Sequence, residues 1–330
     1  MEKPDNLSYK KKIHPSFLGT KLAKIIEDFC ECYVNAAKSS PAQQSHDLIE
    51  VWLDLVNHQL ESPTAFQIYH QAIRSPFDYY QFGLNLIRPL INFPQSQVLG
   101  KENLTQLNQQ IQNKQNVILL ANHQTEPDPQ IISLLIEADC PDLAQNMIFV
   151  AGHRVINDPL AIPLSLGRNL LCIYSKKHIH HPLEEKSQKI AHNQRTLKKL
   201  TELLSQGGHC IYVAPSGGRD RANEKGLVEV APFDADSLEL FHLIAKQSRC
   251  PTHFYPLALK TFSLMPPPHQ VEKELGETRQ ASYTPVSLAF GKEIHWTQLP
   301  ILKNADKQTQ RITRAKYITN LVKREYNLLK

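Results

Sequence analysis

The sequence of 330 residues contains no apolar run that approaches the roughly 18–20 residues needed to span a bilayer. Its longer apolar runs, such as residues 117–121, are short and end in polar residues, as buried strands do. The N-terminus, MEKPDNLSYKKK, lacks the apolar core of a secretory signal and the composition of an organelle transit peptide. We therefore expect a soluble protein that stays in the compartment where it is made.

Paired cysteines and nucleotide-binding glycine motifs are also lacking. None of the six cysteines belongs to a C-x-x-C pair, and dispersed thiols favour a reducing compartment over a disulfide framework. There is no G-x-G-x-x-G and no G-x4-G-K-[ST], so dinucleotide and P-loop chemistry lack support. His178, His180 and His181 match no strong metal motif. No metal or redox cofactor is implied.

The chain has little excess of either charge. Its formal net charge is +5 and its pI is near 8.7, which favours acidic partners through long-range attraction. Phosphorylated substrates, an acidic carrier protein, anionic lipid surfaces and nucleic acid all fit this balance. The excess is too small to choose among them.

Apolar spacing divides the chain into two regions. Residues 17–37 and 46–60 show helical spacing, and Pro63 is suited to open a third helix. After about residue 84, short apolar runs alternate with helical segments, which indicates an α/β sheet that is at least partly parallel. We predict a helical bundle over residues 1–80 and a larger domain over residues 81–330. The larger domain is expected to hold a mixed, partly parallel sheet flanked by helices.

Polar clusters follow four of the predicted strands. The strands at 117–121, 147–152, 170–174 and 210–214 lead into NHQTEPD, HR, SKKH and PSGGRDR. In open α/β sheets, ligands bind at the carboxyl ends of the strands. We therefore expect these clusters to converge at one edge of the sheet.

The first cluster contains His123 and Asp128, five residues apart. Pro127 and Pro129 prevent a regular helix across the segment, and Pro129 suits the first helical position, which places Asp128 at the N-cap. The loop can then fold back, so that the carboxylate fixes the imidazole tautomer and the other ring nitrogen takes a proton. Taken alone, the spacing also fits an ordinary capping aspartate and a loop histidine.

Two basic loops form a second set of candidates. Lys177 and His178 follow one strand, and Arg219 and Arg221 follow another. Guanidinium forks suit a phosphate and a lysine adds a point charge. The glycines before Arg219 let the backbone approach an anion closely. The pattern predicts a phosphate site, with a solvated basic rim as the alternative.

Ser216 leaves a rival function open. The segment APSGG resembles a nucleophile elbow, but Ala214 replaces the first glycine of G-x-S-x-G and RDR follows where a helix should begin. A serine hydrolase with a covalent acyl-enzyme is therefore one alternative. A non-catalytic protein that binds an anionic lipid or phosphate is another.

The predicted helix over residues 184–204 carries three cations, Arg195, Lys198 and Lys199, opposite its apolar face. A solvated helix face explains them simply. The other interpretation is a docking face for an acidic partner.

Seven segments together carry a resemblance to a known family. They are NHQTEPDP, AGHRVINDPL, SLGRNLLCIYSKKH, APSGGRDR, APFDA, YPLAL and MPPPHQVEKELGE. The likeness as a whole runs in one order from about Phe77 to Glu277. His123 and Asp128 match the H-x4-D signature of glycerolipid acyltransferases, and the set resembles the soluble, plastid-type glycerol-3-phosphate 1-O-acyltransferases. Membrane-bound relatives carry a Glu-Gly-type third block where this chain has Pro-Ser-Gly-Gly-Arg.

The resemblance implies a reaction and roles for the candidate residues. A fatty acyl group would pass from acyl carrier protein, or from coenzyme A, to the sn-1 hydroxyl of glycerol 3-phosphate. The product is lysophosphatidic acid, in the first step of phospholipid synthesis. His123 would be the general base and Asp128 its orienting partner. The phosphate would be held by four residues, Lys177, His178, Arg219 and Arg221.

The resemblance also implies partners and a location. Besides glycerol 3-phosphate and the acyl donor, we expect transient contact with a membrane surface and no nucleic acid. The location is the cytoplasm if the source is bacterial, or the plastid stroma if the chain is a mature form.

Overall fold

A computed structural model describes residues 12–13, 19–40, 45–176, 179–180, 182–268, 277–300, 302 and 305–330. Three residues singled out in the sequence, Lys177, His178 and His181, lie outside the described residues.

Eight strands form one sheet. They are β1 (Tyr69–His70), β2 (Gln97–Leu99), β3 (Asn116–Ala121), β4 (Ile148–Gly152), β5 (Asn169–Ile173), β6 (Cys210–Val213), β7 (Thr252–Lys260) and β8 (Ser287–Phe290). Their spatial order is β1-β5-β4-β6-β3-β7-β8-β2. The five strands from β5 to β7 pair in parallel, whereas β1 and β8 run antiparallel to β5 and β7, and β2 is parallel to β8. The predicted mixed, partly parallel sheet is confirmed.

Ten α-helices surround the sheet within the described residues. They are α1 (Lys21–Ala37), α2 (Ser45–Glu61), α3 (Tyr79–Ile87), α4 (Lys101–Gln112), α5 (Asp128–Ile136), α6 (Pro141–Asn146), α7 (Ile162–Ser165), α8 (Lys186–Gln206), α9 (Ala235–Gln247) and α10 (Lys307–Leu328). None of the described helices is both long enough and apolar enough to cross a membrane.

Strand β3 lies at the centre of the core, and all six of its residues are buried. Its side chains alternate between the two faces of the sheet, as the two-residue period of a strand requires. Ile118 and Leu120 belong to the cluster that includes residues of α8, α9 and α10. Val117 and Leu119 belong to the cluster on the other side, with residues of α4, α5 and α6. Helices on both faces therefore hold β3, and the loop that follows it, in place.

The two predicted N-terminal helices are present as α1 and α2. The Thr20 side chain caps α1 by accepting a hydrogen bond from the Ala23 amide at 3.3 Å. Phe29 of α1 and Trp52 of α2 meet in a buried contact with ring centroids 5.0 Å apart. The same apolar cluster includes Ile131 of α5, so these helices share a core with the element that follows the His123 loop.

The third N-terminal helix predicted from Pro63 is wrong. Residues 62–78, all of them described, form no helix, and Tyr69–His70 is instead the edge strand β1. The backbone bonds of this segment go to the sheet, since the Cys172 amide donates to the Ile68 carbonyl at 3.0 Å. Pairing with the open edge of β5 outweighs the helical spacing of the apolar residues. The boundary between the predicted domains 1–80 and 81–330 stays a prediction.

Candidate active site

The carboxyl ends of the parallel strands lie at one edge of the sheet. Residues 122–128 follow β3, residues 214–234 follow β6, and Thr261 follows β7. Because β6, β3 and β7 are neighbours, these three segments meet. Strands β4 and β5 run in the same direction, so the described residues that follow them also begin at this edge.

His123 and Asp128 form a hydrogen-bonded pair at this edge. The imidazole Nδ1 lies 2.8 Å from Oδ2 of Asp128. The Asp128 side chain is fully buried, whereas 25% of the His123 side chain remains exposed. One ring nitrogen is therefore held by the carboxylate while part of the ring stays accessible to a substrate.

The carboxylate of Asp128 is held by four hydrogen bonds. Besides His123, its Oδ2 accepts hydrogen bonds from the amides of Gln124 at 2.8 Å and Thr125 at 3.2 Å. Its Oδ1 accepts one from the hydroxyl of Thr261 at 2.6 Å. Asp128 is the first residue of α5 rather than the N-cap that was predicted. Its carboxylate turns back to the preceding loop, so it orients the histidine instead of serving as an ordinary cap.

The loop that carries His123 is anchored to the neighbouring strands. The Asn122 amide group donates to the Leu259 carbonyl of β7 at 2.9 Å, and its oxygen accepts from the Leu259 amide at 2.7 Å. The hydroxyl of Tyr212, on β6, donates to the Asn122 carbonyl at 2.8 Å. Thr125 donates its hydroxyl to the Met265 carbonyl at 2.6 Å. The imidazole is thus supported by a backbone with little freedom to move.

The two predicted phosphate ligands that the structure describes, Arg219 and Arg221, lie on the segment after β6. Arg219 forms an ion pair with Glu277. Arg221 donates to the carbonyls of Pro268 at 3.2 Å and Arg219 at 3.3 Å. Burial, together with the positive charges of Arg219 and Arg154, lowers the pKa of Arg221 below that of a free guanidinium. Cations are therefore close together here, which favours an anionic ligand.

Ser216 is not arranged as an activated nucleophile. Its hydroxyl donates to the carbonyl of Gly218, at 3.0 Å, within its own turn. Gly217 has a φ of 71°, which suits a glycine in this turn. No helix follows β6 within residues 214–234, all of which are described. The strand–turn–helix arrangement of a nucleophile elbow is therefore not formed.

A buried ionic network next to the His123–Asp128 pair was not found from the sequence. The Arg279 guanidinium, only 5% exposed, donates to both carboxylate oxygens of Glu126, at 2.8 and 3.2 Å, and to Asp158 at 3.1 Å. Burial lowers the pKa of Arg279, but these two carboxylates raise it more, above that of a free guanidinium. Glu126 lies in the His123 loop, so Arg279 ties this loop to the Asp158 segment. Arg279 is 153 residues from Glu126 in sequence, and no local pattern links them.

Asp220 and Thr261 were also missed, although each left a sequence signal. Asp220 stands between the two arginines of RDR, and Thr261 directly follows a predicted strand. Asp220 is buried, which raises its pKa, against the effect of hydrogen bonds from Asn122, Ala231 and Gln124. Among the described residues, no group of three His, Cys, Asp or Glu side chains is placed to hold a metal ion.

Comparison with known proteins gives one family for this chain. A family model described as Acyltransferase matches residues 95–260. A chloroplastic glycerol-3-phosphate acyltransferase of Cucurbita moschata is 40% identical over 97% of this chain and 70% of its own length. One of Arabidopsis thaliana is 41% identical over 88% of this chain, which spans 64% of the relative's length.

A solved structure, the 1-acyl-sn-glycerophosphate acyltransferase PlsC from Thermotoga maritima, is 22% identical with a TM-score of 0.42. It aligns over 76% of this chain and 78% of its own. A similarity of this size does not define a substrate.

Proposed function

The chain belongs to the glycerol-3-phosphate acyltransferase family, and we propose that it transfers a fatty acyl group from a thioester to the sn-1 hydroxyl of glycerol 3-phosphate. The His123–Asp128 pair, held at 2.8 Å, carries this proposal. It lies at the same edge of the sheet as Arg219 and Arg221, which supports a role for these groups as base and anion site for one small substrate.

The proposed chemistry is direct transfer. With Nδ1–H of His123 donated to Asp128, Nε2 is unprotonated and removes the proton from the glycerol 1-hydroxyl. The oxygen attacks the thioester carbonyl, a tetrahedral intermediate forms, and its collapse breaks the C–S bond. The departing thiolate takes the proton from the imidazolium, so the base is restored. General-base help of this kind is worth about 10²–10⁴-fold.

The proposed phosphate site orients the substrate. Arg219 and Arg221 suit an anion because both are partly buried cations on the segment beside the His123 loop. Glu277 forms an ion pair with Arg219, and a phosphate would share or replace that contact. Lys177 and His178 stay predictions as further ligands. Holding the phosphate in place brings the hydroxyl to the base, which accelerates the reaction through orientation.

Acyl carrier protein is the proposed donor, with acyl-coenzyme A as the second candidate. A positive net charge of +5 favours a small acidic partner. Transient contact with a membrane surface also stays a proposal, because the lysophosphatidic acid product must reach a bilayer. The proposed location is the plastid stroma or a bacterial cytoplasm.

A single assay tests the function. The protein is incubated with glycerol 3-phosphate and either acyl carrier thioester or acyl-coenzyme A, and lysophosphatidic acid is measured. The parent and the Ser216→Ala variant should both form product, because no acyl-serine is involved. If only Ser216→Ala lost activity and a covalent acyl-enzyme accumulated in the parent, the serine mechanism would replace this one. If neither donor reacted, the binding-protein alternative would be favoured.

A further inference from the structure

Asp220 separates the two arginines of the proposed phosphate site, and its side chain has a different environment from theirs. The Asp220 side chain is buried, with 1% exposure, whereas Arg219 and Arg221 are partly exposed. Burial therefore alternates along residues 219–221. The two arginines can thus face a ligand while the aspartate faces the protein interior.

The interior partners of Asp220 lie on both sides of the proposed base. Its amide donates to the His123 carbonyl at 2.6 Å. Its Oδ2 accepts from the side-chain amides of Asn122 at 2.8 Å and Gln124 at 3.3 Å. Its Oδ1 accepts from the Ala231 amide at 2.9 Å. One residue therefore connects the arginine segment to three consecutive residues centred on His123.

These contacts require a side chain at position 220 that only accepts hydrogen bonds. The Asn122 oxygen is already used by the Leu259 amide, at 2.7 Å, and the Gln124 oxygen by the Thr261 amide, at 2.8 Å. Neither amide can rotate without losing that bond, so both present NH₂ donors to Asp220. A carboxylate satisfies these donors and the Ala231 amide together.

We infer that Asp220 is a positioning residue that sets the separation between His123 and the phosphate-binding arginines, and thereby selects the sn-1 hydroxyl. This inference rests on the proposed function. The sn-1 oxygen is one carbon–carbon bond farther from the phosphate than the sn-2 oxygen, about 1.5 Å. A displacement of that size can change a rate by about 10²-fold, so a rigid link between base and anion site discriminates between the two hydroxyls.

The test measures where the acyl group is placed. Parent, Asp220→Asn and Asp220→Ala are assayed with glycerol 3-phosphate, and reactions are stopped at early times before acyl migration. The ratio of 1-acyl to 2-acyl product is measured together with kcat and both KM values. Both variants should lose about 10- to 100-fold in kcat. The fraction of 2-acyl product should rise several-fold, and the KM for the acyl donor should stay within twofold of the parent.

Glu293→Gln is the matched control, because Glu293 is also a carboxylate held by side chains. It accepts from His253 at 2.7 Å and Gln110 at 3.3 Å, beside the amino end of β7 and away from Thr261. Thermal unfolding of all variants separates lost stability from lost positioning. Asp220→Asn, which preserves shape, remains informative if Asp220→Ala does not fold.

The possible outcomes separate the two proposals. If a folded Asp220→Asn protein gives the same ratio of 1-acyl to 2-acyl product as the parent, the positioning role is overturned. The proposed function then still stands. The same follows if Glu293→Gln loses fidelity to an equal degree. If the parent itself makes no lysophosphatidic acid, both the proposed function and this inference are overturned.

Discussion

At the scale of single residues, the imidazole of His123 is the group on which the proposed chemistry depends. We expect His123→Ala to lower kcat by about 10²–10⁴-fold, the usual contribution of a general base. Its side chain is 25% exposed, so the fold should persist, which circular dichroism and thermal unfolding would verify. Activity within tenfold of the parent would contradict the base assignment.

Asp128→Asn should impair both activity and stability. The fully buried carboxylate accepts four hydrogen bonds, and an amide would present donors to groups that also donate. We expect a fall in kcat of at least about 10²-fold and a loss of about 1–3 kcal/mol in unfolding free energy. Asp306→Asn, at the exposed N-cap of α10, is the control and should change neither. A mild effect at Asp128 would revive its interpretation as a simple helix cap.

Replacing either of the two arginines after β6 should weaken the binding of glycerol 3-phosphate and not that of the acyl donor. Arg219→Ala and Arg221→Ala should each raise the KM for glycerol 3-phosphate by the equivalent of about 1.5–3 kcal/mol, with little change for the acyl donor. Lys246→Ala, an exposed cation on α9, controls for net charge. Steady-state kinetics with each substrate varied in turn provide the measurement. Equal use of plain glycerol by the parent would show that the phosphate site is misassigned.

At the scale of elements, Arg279 joins the loop before α5, which contains Glu126, to the segment that contains Asp158. Its removal would take the Arg279 cation away from the carboxylates of Glu126 and Asp158, both nearly buried. Breaking such a group typically costs about 3–5 kcal/mol. We expect Arg279→Ala to lower the unfolding free energy by this amount in urea titrations. Arg324→Ala, whose exposed guanidinium contacts Glu325, should cost less than about 1 kcal/mol, and a similar cost for both would refute the network's importance.

The sequence predicted a helix or a strand correctly where the apolar pattern of the segment itself identifies it. The fully apolar run at β3 is buried on both faces, so continuous hydrophobicity was sufficient to predict a strand. The two-residue strand β1 has no such pattern. It is a strand only because the edge of β5 offers unpaired backbone groups to residues about 100 positions earlier in the chain.

At the scale of the whole molecule, the distribution of charge bears on the acyl donor. Arg195 and Lys198 on α8 are exposed, as expected for a docking face. Lys199 is only partly available, since it lies 3.6 Å from Glu202. Asn193, five residues before Lys198 on the same helix, bonds to the backbone of Tyr174 just after β5. This part of α8 therefore lies near the edge of the sheet that carries the candidate active site.

We expect an Arg195→Glu/Lys198→Glu double variant to raise the KM for acyl carrier thioester while barely changing kcat. Steering by surface charge weakens as the Debye length falls from about 10 Å at 0.1 M salt to about 3 Å at 1 M, so turnover of the parent at low donor concentration should also fall with salt. Lys21→Glu/Lys24→Glu on α1 gives the same change in net charge on another face. Equal carrier kinetics for both double variants at low salt would exclude α8 as the docking face.

The sequence by itself indicated which local segments are candidates for the site. Strand ends followed by polar residues, with prolines that break a helix near Asp128, place His123 and the arginines in loops at one edge of a parallel sheet. These are properties of short stretches, and local patterns encode them. Tertiary structure alone decided which distant groups complete the site. Thr261 on Asp128, Arg279 on Glu126 and Asp220 on Asn122 are contacts across 98 to 153 residues. They arise because β6, β3 and β7 become neighbours only when the strands assemble into the sheet.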